Sequence, residues 1–368
     1  MSKKNNRKKY DEEDEIPKVL QKGKNKKKSK KITVLRVILI ILLILIIMAI
    51  AVLGAAYWYI NDKIGMMQQV EINEEELGIS TETEESLSGY RNIALFGVDS
   101  RADDYGKGNR SDCIIIASIN NKTKEVRLIS VYRDTYVKID GHGLDKITHA
   151  YSYGEAQLAL NTLNTNLDLN IKEFVTVNFD SVSDAVDALG GVTIDITNEE
   201  IKYINDYIDA TAAITKKKSS HITKAGKQTL DGVQAVAYSR IRYTSGGDYK
   251  RTERMRDVIE AMLAKLKTKN VGEINKIANQ ILPEIYTNLD TGDVLSVATD
   301  VMNYKITKSI GWPYETKGIT LDRWYGVPVT LESNVKKLHQ ELFDENDYVV
   351  PTTIKNTSDS IIKKTGYK

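Results

Sequence analysis

The stretch CIIIASINNKTKEVRLISVY, residues 113–132, decides the fold of this chain. It contains two short apolar runs rich in β-branched residues, 113–119 and 126–132, with only polar residues between them. Runs of this length and composition predict β-strands. The run NIALFGVD at 92–99 has the same character, so three strands are predicted in this part of the sequence.

Predicted helices and strands alternate after these three strands. Helices are predicted at 148–167, 181–189, 249–267, 272–288 with a break near Pro283, and 332–343. Strands are predicted at 174–179, 191–196 and, as edge strands, within 319–329. The interleaving predicts an α/β fold, a three-layer sandwich with a central mixed sheet and helices on both faces.

The N-terminal sixty residues have a composition of their own. Residues 1–36 hold 14 Lys and Arg against 5 Asp and Glu, whereas residues 37–60 carry no charge. As a helix, that uncharged segment spans roughly 36 Å, enough to cross a hydrocarbon layer of about 30 Å. We expect one uncleaved transmembrane helix behind a Lys-rich cytoplasmic tail. The positive-inside rule then places residues 61–368 outside the cell membrane.

The rest of the chain divides into an acidic spacer at 61–88, a folded extracellular domain at 89–345 and a polar C-terminal tail at 346–368. We expect the tail to be loose. Cys113 is the only cysteine in the 368 residues, which excludes an intramolecular disulfide. The external domain must therefore be stabilised by a hydrophobic core, and it is long enough to form one.

Several familiar catalytic motifs are absent from the sequence. It contains no G-x-x-x-x-G-K-[ST], no H-E-x-x-H and no G-x-S-x-G, and its four His are scattered. The net charge is only +2, which argues against a protein that binds along a nucleic acid. Carboxylates and cations near the ends of predicted strands are the candidates that remain.

Such charged residues flank each of the first three predicted strands. They are Asp99 and Arg101 after the first, Arg110 and Asp112 before the second, Arg133 and Asp134 after the third, and Lys146 ahead of the next helix. Ligands of open α/β sheets bind where strands end and helices begin, so we expect these residues to converge. A surface ion pair is the simpler interpretation of any single pair, but the repetition at successive strand ends favours a site.

The segment RIRYTSGGDYKRTERMRD, residues 240–257, contains six cationic side chains. Arg251 and Arg254 lie three residues apart near the start of a predicted helix and share a face, and the helix N-terminus adds backbone N–H groups. With Arg240 and Arg242 they predict an anion site. A solvated helical face is the alternative.

A pyrophosphate would account for both sets of residues. Arginine binds phosphate oxygens in pairs and keeps its charge. Mg²⁺ takes one or two protein carboxylates together with phosphate oxygens, and Asp99 and Asp112 would suffice for it.

Four segments of the sequence resemble the LytR-CpsA-Psr (LCP) family. They are NIALFGVDSR with the following RSD, LISVYRDTYVKIDGHGLDKITHAYSYG, VNFDSVSDAVDALGGVTIDI and LDGVQAVAYSRIRYTSGGDYKRTERMRD, and the resemblance covers roughly residues 89–265. It implies a phosphotransferase of Gram-positive cell walls. Such an enzyme moves a teichoic acid, capsule or similar glycopolymer from undecaprenyl pyrophosphate onto peptidoglycan, forming a phosphodiester and releasing undecaprenyl phosphate.

The resemblance also implies roles for individual residues. Asp99 and Asp112 match the family's Mg²⁺ carboxylates, with Mn²⁺ as the alternative ion. Positions that hold the pyrophosphate or line its site correspond to Arg101, Arg110, Arg133, Lys146, Arg240, Arg242 and Arg251, and Arg254 joins them through its place on the helix face. Arg133, Asp134 and Asp248 are the candidate catalytic residues, and either aspartate could take the proton of the attacking hydroxyl, the C6 hydroxyl of N-acetylmuramic acid in this family. Met255 stands where the family often has Gln, which puts the fit of the substrate in question.

The expected partners are the lipid-linked glycopolymer, the peptidoglycan acceptor and the membrane, without nucleic acid. Three other interpretations stay open at this point. The chain could hydrolyse a polyprenyl pyrophosphate, bind wall polymer without catalysis, or, if its basic helix lay inside the cell, regulate transcription.

Overall fold

The computed structural model describes residues 47–48, 54–55, 57–63, 65–100 and 105–368. The chain divides into two units, Met1–Tyr59 and Ile60–Lys368, and the elements below belong to the second. The predicted cytoplasmic tail and most of the predicted span at 37–60 lie outside the described residues. Within the described part of the chain, no helix has the length and apolar composition needed to cross a membrane.

A seven-stranded mixed sheet forms the centre of the second unit. Its strand order is β1-β10-β7-β2-β3-β4-β11. The strands are β1 Gln68–Gln69, β2 Tyr90–Val98, β3 Ser111–Asn120, β4 Glu125–Val131, β7 Glu173–Val177, β10 Tyr286–Thr287 and β11 Lys305–Trp312. Strand β3 is antiparallel to β2 and β4, whereas β7 is parallel to β2 and β11 is parallel to β4. The predicted mixed central sheet is confirmed.

Three two-stranded sheets accompany the central one. They pair β5 Tyr136–Ile139 with β6 Gly143–Lys146, β8 Val192–Ile196 with β9 Gly226–Leu230, and β12 Thr316–Thr320 with β13 Trp324–Pro328. The strands predicted at 191–196 and within 319–329 therefore exist, but they pair outside the central sheet. The edge strands predicted within 319–329 pair with each other, outside the central sheet.

Helices surround the central sheet. They are α1 Thr81–Ser86, α2 Thr148–Leu167, α3 Phe179–Leu189, α4 Asn198–Thr215, α5 Gly232–Arg240, α6 Gly247–Leu266, α7 Val271–Ile281, α8 Thr291–Asp300, α9 Leu331–Phe343 and α10 Thr352–Thr365. Short 3-10 helices occupy Glu74–Glu76 and Leu282–Glu284. The break predicted near Pro283 is present, because the second of these turns contains that proline directly after α7. The helix predicted to 288 does not resume beyond it, since Tyr286–Thr287 form β10.

Side chains of the central strands alternate between two hydrophobic clusters. In β2, Phe96 and Val98 pack with residues of α2 and α9, whereas Ile93 packs in a second cluster with Ile115 and Leu128. Residues of α6 and α8 cover that second cluster. The period of two follows from the pleat, which turns successive side chains to opposite faces. The sheet is therefore buried on both faces, as its near-continuous apolar runs predicted.

The C-terminal residues differ from the loose tail expected at 346–368. Helix α10 buries Ile354 and Ile361 in the same cluster as the residues of α2 and α9. Beyond the helix, the Tyr367 hydroxyl donates a hydrogen bond to the Gly318 carbonyl oxygen, 3.1 Å away in β12. Isoleucines at a spacing of seven were the sequence signal, and the polar residues between them obscured it.

Candidate active site

The ends of three central strands place the predicted carboxylates at one edge of the sheet. Val98, the last residue of β2, pairs with Ser111, the first residue of β3. Strand β4, antiparallel to β3, ends at Val131 on the same edge. Asp99, Asp112 and Arg133 come directly from these strand ends, so the predicted convergence of strand-end residues is present for these three.

A β-bulge sets the position of Asp112. Gly97 pairs with Cys113 and Val98 pairs with Ser111, which leaves Asp112 as an extra residue opposite β2. Such a bulge redirects a side chain and is common next to functional sites. Gly97 also permits the close pairing, because a Cβ atom there would lie 2.8 Å from the Cβ of Cys113. Gly97, inside the strand predicted at 92–99, was the sequence signal for such an irregularity.

Arg133 lies between two carboxylates. Its Nη1 is 3.0 Å from Asp112 Oδ1, and its Nε is 3.4 Å from Asp134 Oδ2. Lys146 Nζ donates a 2.6 Å hydrogen bond to the other oxygen of Asp134. Burial works against the charged form of Arg133, but Asp112, Asp134 and Asp248 outweigh it and raise the pKa of Arg133.

Arg251 is held at the start of α6. Its side chain is 2% exposed, and Nη1 and Nη2 lie 3.0 and 3.2 Å from the two carboxylate oxygens of Asp248. Nη2 also donates to the carbonyl oxygen of Asp112, 3.3 Å away. Burial lowers the pKa of Arg251, and although Asp248 opposes this, the nearby charges of Arg242 and Arg133 add to it. Cations this close to one another favour an anion between them.

Arg240 approaches the same group from the end of α5. Its guanidinium carbon is 4.7 Å from the centre of the Phe179 ring, and Nη1 donates a 2.9 Å hydrogen bond to Thr211. Burial lowers its pKa, opposed by the charge of Asp99 and reinforced by that of Arg242. Asp99 and Arg240 are therefore electrostatic neighbours.

Phe179 and Thr211 were not predicted as site residues. Phe179 begins the helix α3 just after β7. It therefore follows a strand end, as the predicted site residues do. Thr211 lies in the fourth turn of α4, and nothing in the sequence around it pointed to the site.

The start of α6 provides a second feature suited to an anion. Gly246 precedes the helix with a φ of +90°, and no side chain among the described residues caps the first turn. Free N–H groups at a helix N-terminus attract phosphate oxygens. Asp248 belongs to this first turn, and Arg251 begins the next turn and pairs back to Asp248, so the helix start and the arginine cluster coincide.

One of the predicted residues, Arg254, lies elsewhere. Arg254 is 1% exposed, and its Nε, Nη1 and Nη2 donate to Glu200, the Ile241 carbonyl oxygen and Thr244, at 2.7, 3.0 and 2.6 Å. These contacts tie α6 to α4 and to the loop after α5, apart from the arginine cluster. Arg110 is exposed one residue before β3, and Arg101 lies outside the described residues. Met255 packs against the apolar cluster of Ile115 and Leu128 instead of replacing an amide in the site.

The donor set is compatible with Mg²⁺. The described residues contain no cluster of three or more His, Cys, Asp or Glu able to hold a metal alone. Mg²⁺ needs only one or two carboxylates when phosphate and water supply the remaining oxygens. Asp112 Oδ1 is buried and, among the described residues, has no donor aligned for a hydrogen bond despite its contact with Arg133. Asp112, with Asp99 at the end of the neighbouring strand, therefore fits such an ion.

Known proteins resemble this chain in sequence. The model of the LytR_cpsA_psr family matches residues 57–340. The polyisoprenyl-teichoic acid–peptidoglycan teichoic acid transferase TagU of Enterococcus faecalis is 32% identical over 256 residues, covering 68% of this chain and 78% of that protein. The corresponding transferase TagT of Bacillus subtilis is 30% identical over 233 residues, covering 62% and 70%.

Solved structures resemble it as well. The structure described as TagT bound to LI-WTA has 25% sequence identity and a TM-score of 0.56, and covers 72% of this chain and 93% of that one. TagT with bound octaprenyl pyrophosphate lipid matches at 25% identity and a TM-score of 0.51, covering 70% and 92%. The family match extends over most of the chain and contains every described site residue. This chain therefore belongs to the LytR_cpsA_psr family.

Proposed function

We propose that this protein transfers an anionic glycopolymer from a polyprenyl pyrophosphate carrier to peptidoglycan. The observation that carries the proposal is the cluster of Arg133, Arg240, Arg242 and Arg251 beside Asp99 and Asp112 at one sheet edge. The names of the relatives support it, because TagU and TagT are teichoic acid transferases and one TagT structure holds a polyprenyl pyrophosphate. Teichoic acid is the polymer class these names favour, and a capsule-like polymer has the same linkage chemistry.

The reaction exchanges the phosphoanhydride bond of the pyrophosphate for a phosphoester bond to the acceptor. An acceptor sugar hydroxyl attacks the phosphorus that bears the polymer, a new O–P bond forms, and the bond to the lipid phosphate breaks. The proton of the hydroxyl leaves through a carboxylate, and the lipid departs as polyprenyl phosphate. The arginines bind the non-bridging oxygens and stabilise the charge that builds up in the transition state.

Each side chain of the site has a distinct position in this scheme. Arg251, fixed by Asp248, presents its buried guanidinium to the pyrophosphate, and Arg240 and Arg242 approach from α5 and the loop that follows it. Asp99 and Asp112 would hold Mg²⁺, or Mn²⁺, which would neutralise phosphate charge when bound. Lys146 and Arg133 flank Asp134, so a proton taken by Asp134 would move within an ion-paired network. Asp248 is the other carboxylate within the group.

The test is polymer transfer by the purified full chain in detergent. With a lipid-pyrophosphate-linked polymer and peptidoglycan fragments, Arg240→Ala and Asp99→Ala should abolish formation of the phosphodiester while the proteins stay folded. Release of lipid phosphate without acceptor, at the same rate as with it, would instead identify a hydrolase. Binding of polymer without turnover would identify a wall-binding protein.

The location of the site is part of the proposal. We infer an N-terminal anchor at 37–60, a cytoplasmic N-terminus, and the three-layer domain outside the membrane, because the uncharged run follows a Lys-rich tail. A C-terminal epitope tag on intact protoplasts should be destroyed by external protease, with a cytoplasmic protein as the control. A protected tag would place the site inside the cell and remove access to peptidoglycan.

A further inference from the structure

A cavity of about 440 Å³ opens beside the arginine cluster and is not used by the pyrophosphate chemistry above. Its lining includes Tyr132, Tyr249, Tyr314, Glu315, Thr316 and Lys317. We propose that this cavity is the subsite for the acceptor, where a neutral sugar ring of the peptidoglycan glycan strand binds. The inference rests on the proposed transferase function and deepens it.

The cavity lies on the same sheet edge as the phosphate site. Strands β4 and β11 run parallel with Val131 beside Trp312, and the Tyr132 amide donates a 2.9 Å hydrogen bond to the Trp312 carbonyl oxygen. The residues that follow both strands therefore emerge together. The order along the edge is Asp99, Asp112, Arg133 and then the cavity over β4 and β11.

Two residues connect the cavity to the chemistry through the chain itself. Tyr132 directly precedes Arg133, and Tyr249 directly follows Asp248, so each pair of Cα atoms is only about 3.8 Å apart. The two tyrosine rings meet with their centres 4.4 Å apart at an angle of 60°. A sugar on these rings would hold a hydroxyl near phosphorus bound by Arg133 and Arg251.

The lining suits a sugar ring better than the other parts of the substrates. Tyr249 is 45% exposed and presents an aromatic face, while its hydroxyl is 2.6 Å from that of Thr316. Aromatic faces with hydroxyl groups at their rim match a ring that is apolar on its faces and polar at its edge. The Tyr314 hydroxyl is buried and has no hydrogen-bond partner among the described residues. A polar ligand atom or water in the cavity would satisfy it.

The charge of the cavity lining favours the acceptor glycan over the donor polymer as the ligand. One cation, Lys317, and one carboxylate, Glu315, line the cavity, so their charges cancel. A polyanionic chain would gain nothing from this balance, whereas the arginine cluster on the other side would attract it. The lining also contains Pro313 and Val329, but its two charged groups and its hydroxyl groups do not suit a polyprenyl tail. A neutral glycan is the ligand that remains.

The experiment measures transfer kinetics with the two substrates varied separately, using a lipid-pyrophosphate-linked polymer and a soluble, uncrosslinked peptidoglycan glycan fragment. Tyr249→Ala should raise the KM for the fragment roughly tenfold, since it removes an aromatic contact surface, and leave the KM for the lipid substrate within about twofold. Tyr249→Phe keeps the ring and should retain most of the affinity. Lys122→Ala, an exposed lysine in the turn between β3 and β4 at the opposite end of these strands from the cavity, is the surface control and should change neither constant.

The outcomes distinguish this inference from the function on which it rests. Transfer by the unaltered protein with an unchanged fragment KM in Tyr249→Ala would overturn the subsite and leave the transferase intact. A rise in the lipid-substrate KM alone would assign the cavity to the donor polymer and overturn the proposal equally. Absence of transfer by the unaltered protein would be a failure of the proposed function itself.

Discussion

At the scale of single residues, neighbouring arginines of one helix have different surroundings. Arg251 makes a two-point contact with the partly exposed Asp248 and has other cations beside it, whereas Arg254 meets a carboxylate, Glu200, that is itself buried. The first arrangement leaves positive charge for a ligand. The second is complete within the protein and fixes the packing of α6 on α4.

This difference predicts opposite effects of two substitutions. Arg254→Ala would leave the Glu200 carboxylate buried without its partner and should lower the free energy of unfolding by about 3–5 kcal/mol. Arg242→Ala, on a side chain that is 45% exposed, should leave stability unchanged and lower transfer by roughly 100-fold. Urea unfolding and the transfer assay on both variants test this. A stable but inactive Arg254→Ala protein would show that Arg254 also binds substrate.

The residue types of the site were predictable from the sequence, but their contacts were not. Asp99, Asp112 and Arg133 were predicted from their positions next to strand ends. The polar residues next to a buried strand lie at the edge of the sheet, where solvent and ligands reach them. The three-residue spacing of Arg251 and Arg254 placed both on one face, yet their partners lie on different elements. Glu200 belongs to α4, a helix for which no prediction was made, so nothing in the sequence indicated its pairing with Arg254.

At the scale of elements, one glycine of β11 makes room for the side chain of Tyr132, which follows β4. A Cβ atom on Gly311 would lie 2.0 Å from the hydroxyl oxygen of Tyr132. Tyr132 in turn packs against Tyr249 from the first turn of α6. The absence of a side chain in β11 therefore sets the position of the aromatic pair that lines the cavity.

We expect Gly311→Ala to destabilise the fold by about 1–3 kcal/mol, because Tyr132 must move in a packed layer. The same movement should weaken acceptor binding more than lipid-substrate binding. Gly272→Ala is the matched control, since its Cβ would meet only the Asn270 side chain at 3.3 Å in the exposed first turn of α7. Thermal unfolding and separate KM values check both effects. Equal stability of the two variants would contradict the packing argument.

Helix α8 offers a prediction about pH. The hydrogen bond from the Asp293 backbone N–H to the Asp290 side chain, which caps this helix, lowers the pKa of Asp290 below its usual value near 3.8. A carboxyl group with a lowered pKa in the folded state stabilises the protein above the ordinary pKa, and that contribution disappears as the pH falls through the lowered one.

Asp290→Asn keeps a capping side chain without a titrating group, whereas Asp290→Ala removes the cap at a cost of about 1 kcal/mol. Melting temperatures from pH 7 down to pH 3 should show that Asn removes part of the acid sensitivity of the unaltered protein. Ala should lower stability already at neutral pH. A profile of the Asn variant parallel to that of the unaltered protein would refute a role of this cap in acid stability.

Elements with strong apolar patterns were predicted well, and short polar ones were missed. Strands β2, β3, β4 and β7 follow the sequence closely, because their apolar side chains pack into the two clusters. The helix at 148–167 is present but is kinked at Gly154 and Glu155. Strands β5 and β6 have four residues each and mixed burial, so they show no clear period. The pairing of β8 with β9 depends on the tertiary fold. The apolar alternation of β8 indicates a strand but not its partner.

At the scale of the whole molecule, the charged site residues lie at one edge of the sheet, whereas the hydrophobic clusters that stabilise the fold cover both of its faces. The two hydrophobic clusters hold the strands in register, and the strand ends then carry cations and carboxylates to a common position. A crowd of like charges is unfavourable by itself, so the site should become more stable when an anion and a metal ion bind.

Metal removal tests this property. EDTA should lower polymer transfer by more than about 100-fold, and Mg²⁺ or Mn²⁺ should restore it, since neutralisation of phosphate charge precedes attack. Inorganic pyrophosphate with Mg²⁺ should raise the melting temperature more than either alone, and Asp112→Asn should reduce that gain. Full transfer in EDTA would rule out a divalent ion in the reaction.

The contact between Tyr367 and Gly318 has a practical consequence. Gly318 directly follows Lys317 of the cavity lining, and the Lys317 ammonium lies 5.4 Å from the centre of the Tyr367 ring. A reporter protein fused to Lys368 would therefore lie close to the surface where the glycan strand binds. Fusions intended to follow this enzyme in living cells need a long flexible spacer there, and impaired wall attachment in a strain with a short spacer would be an effect of the label.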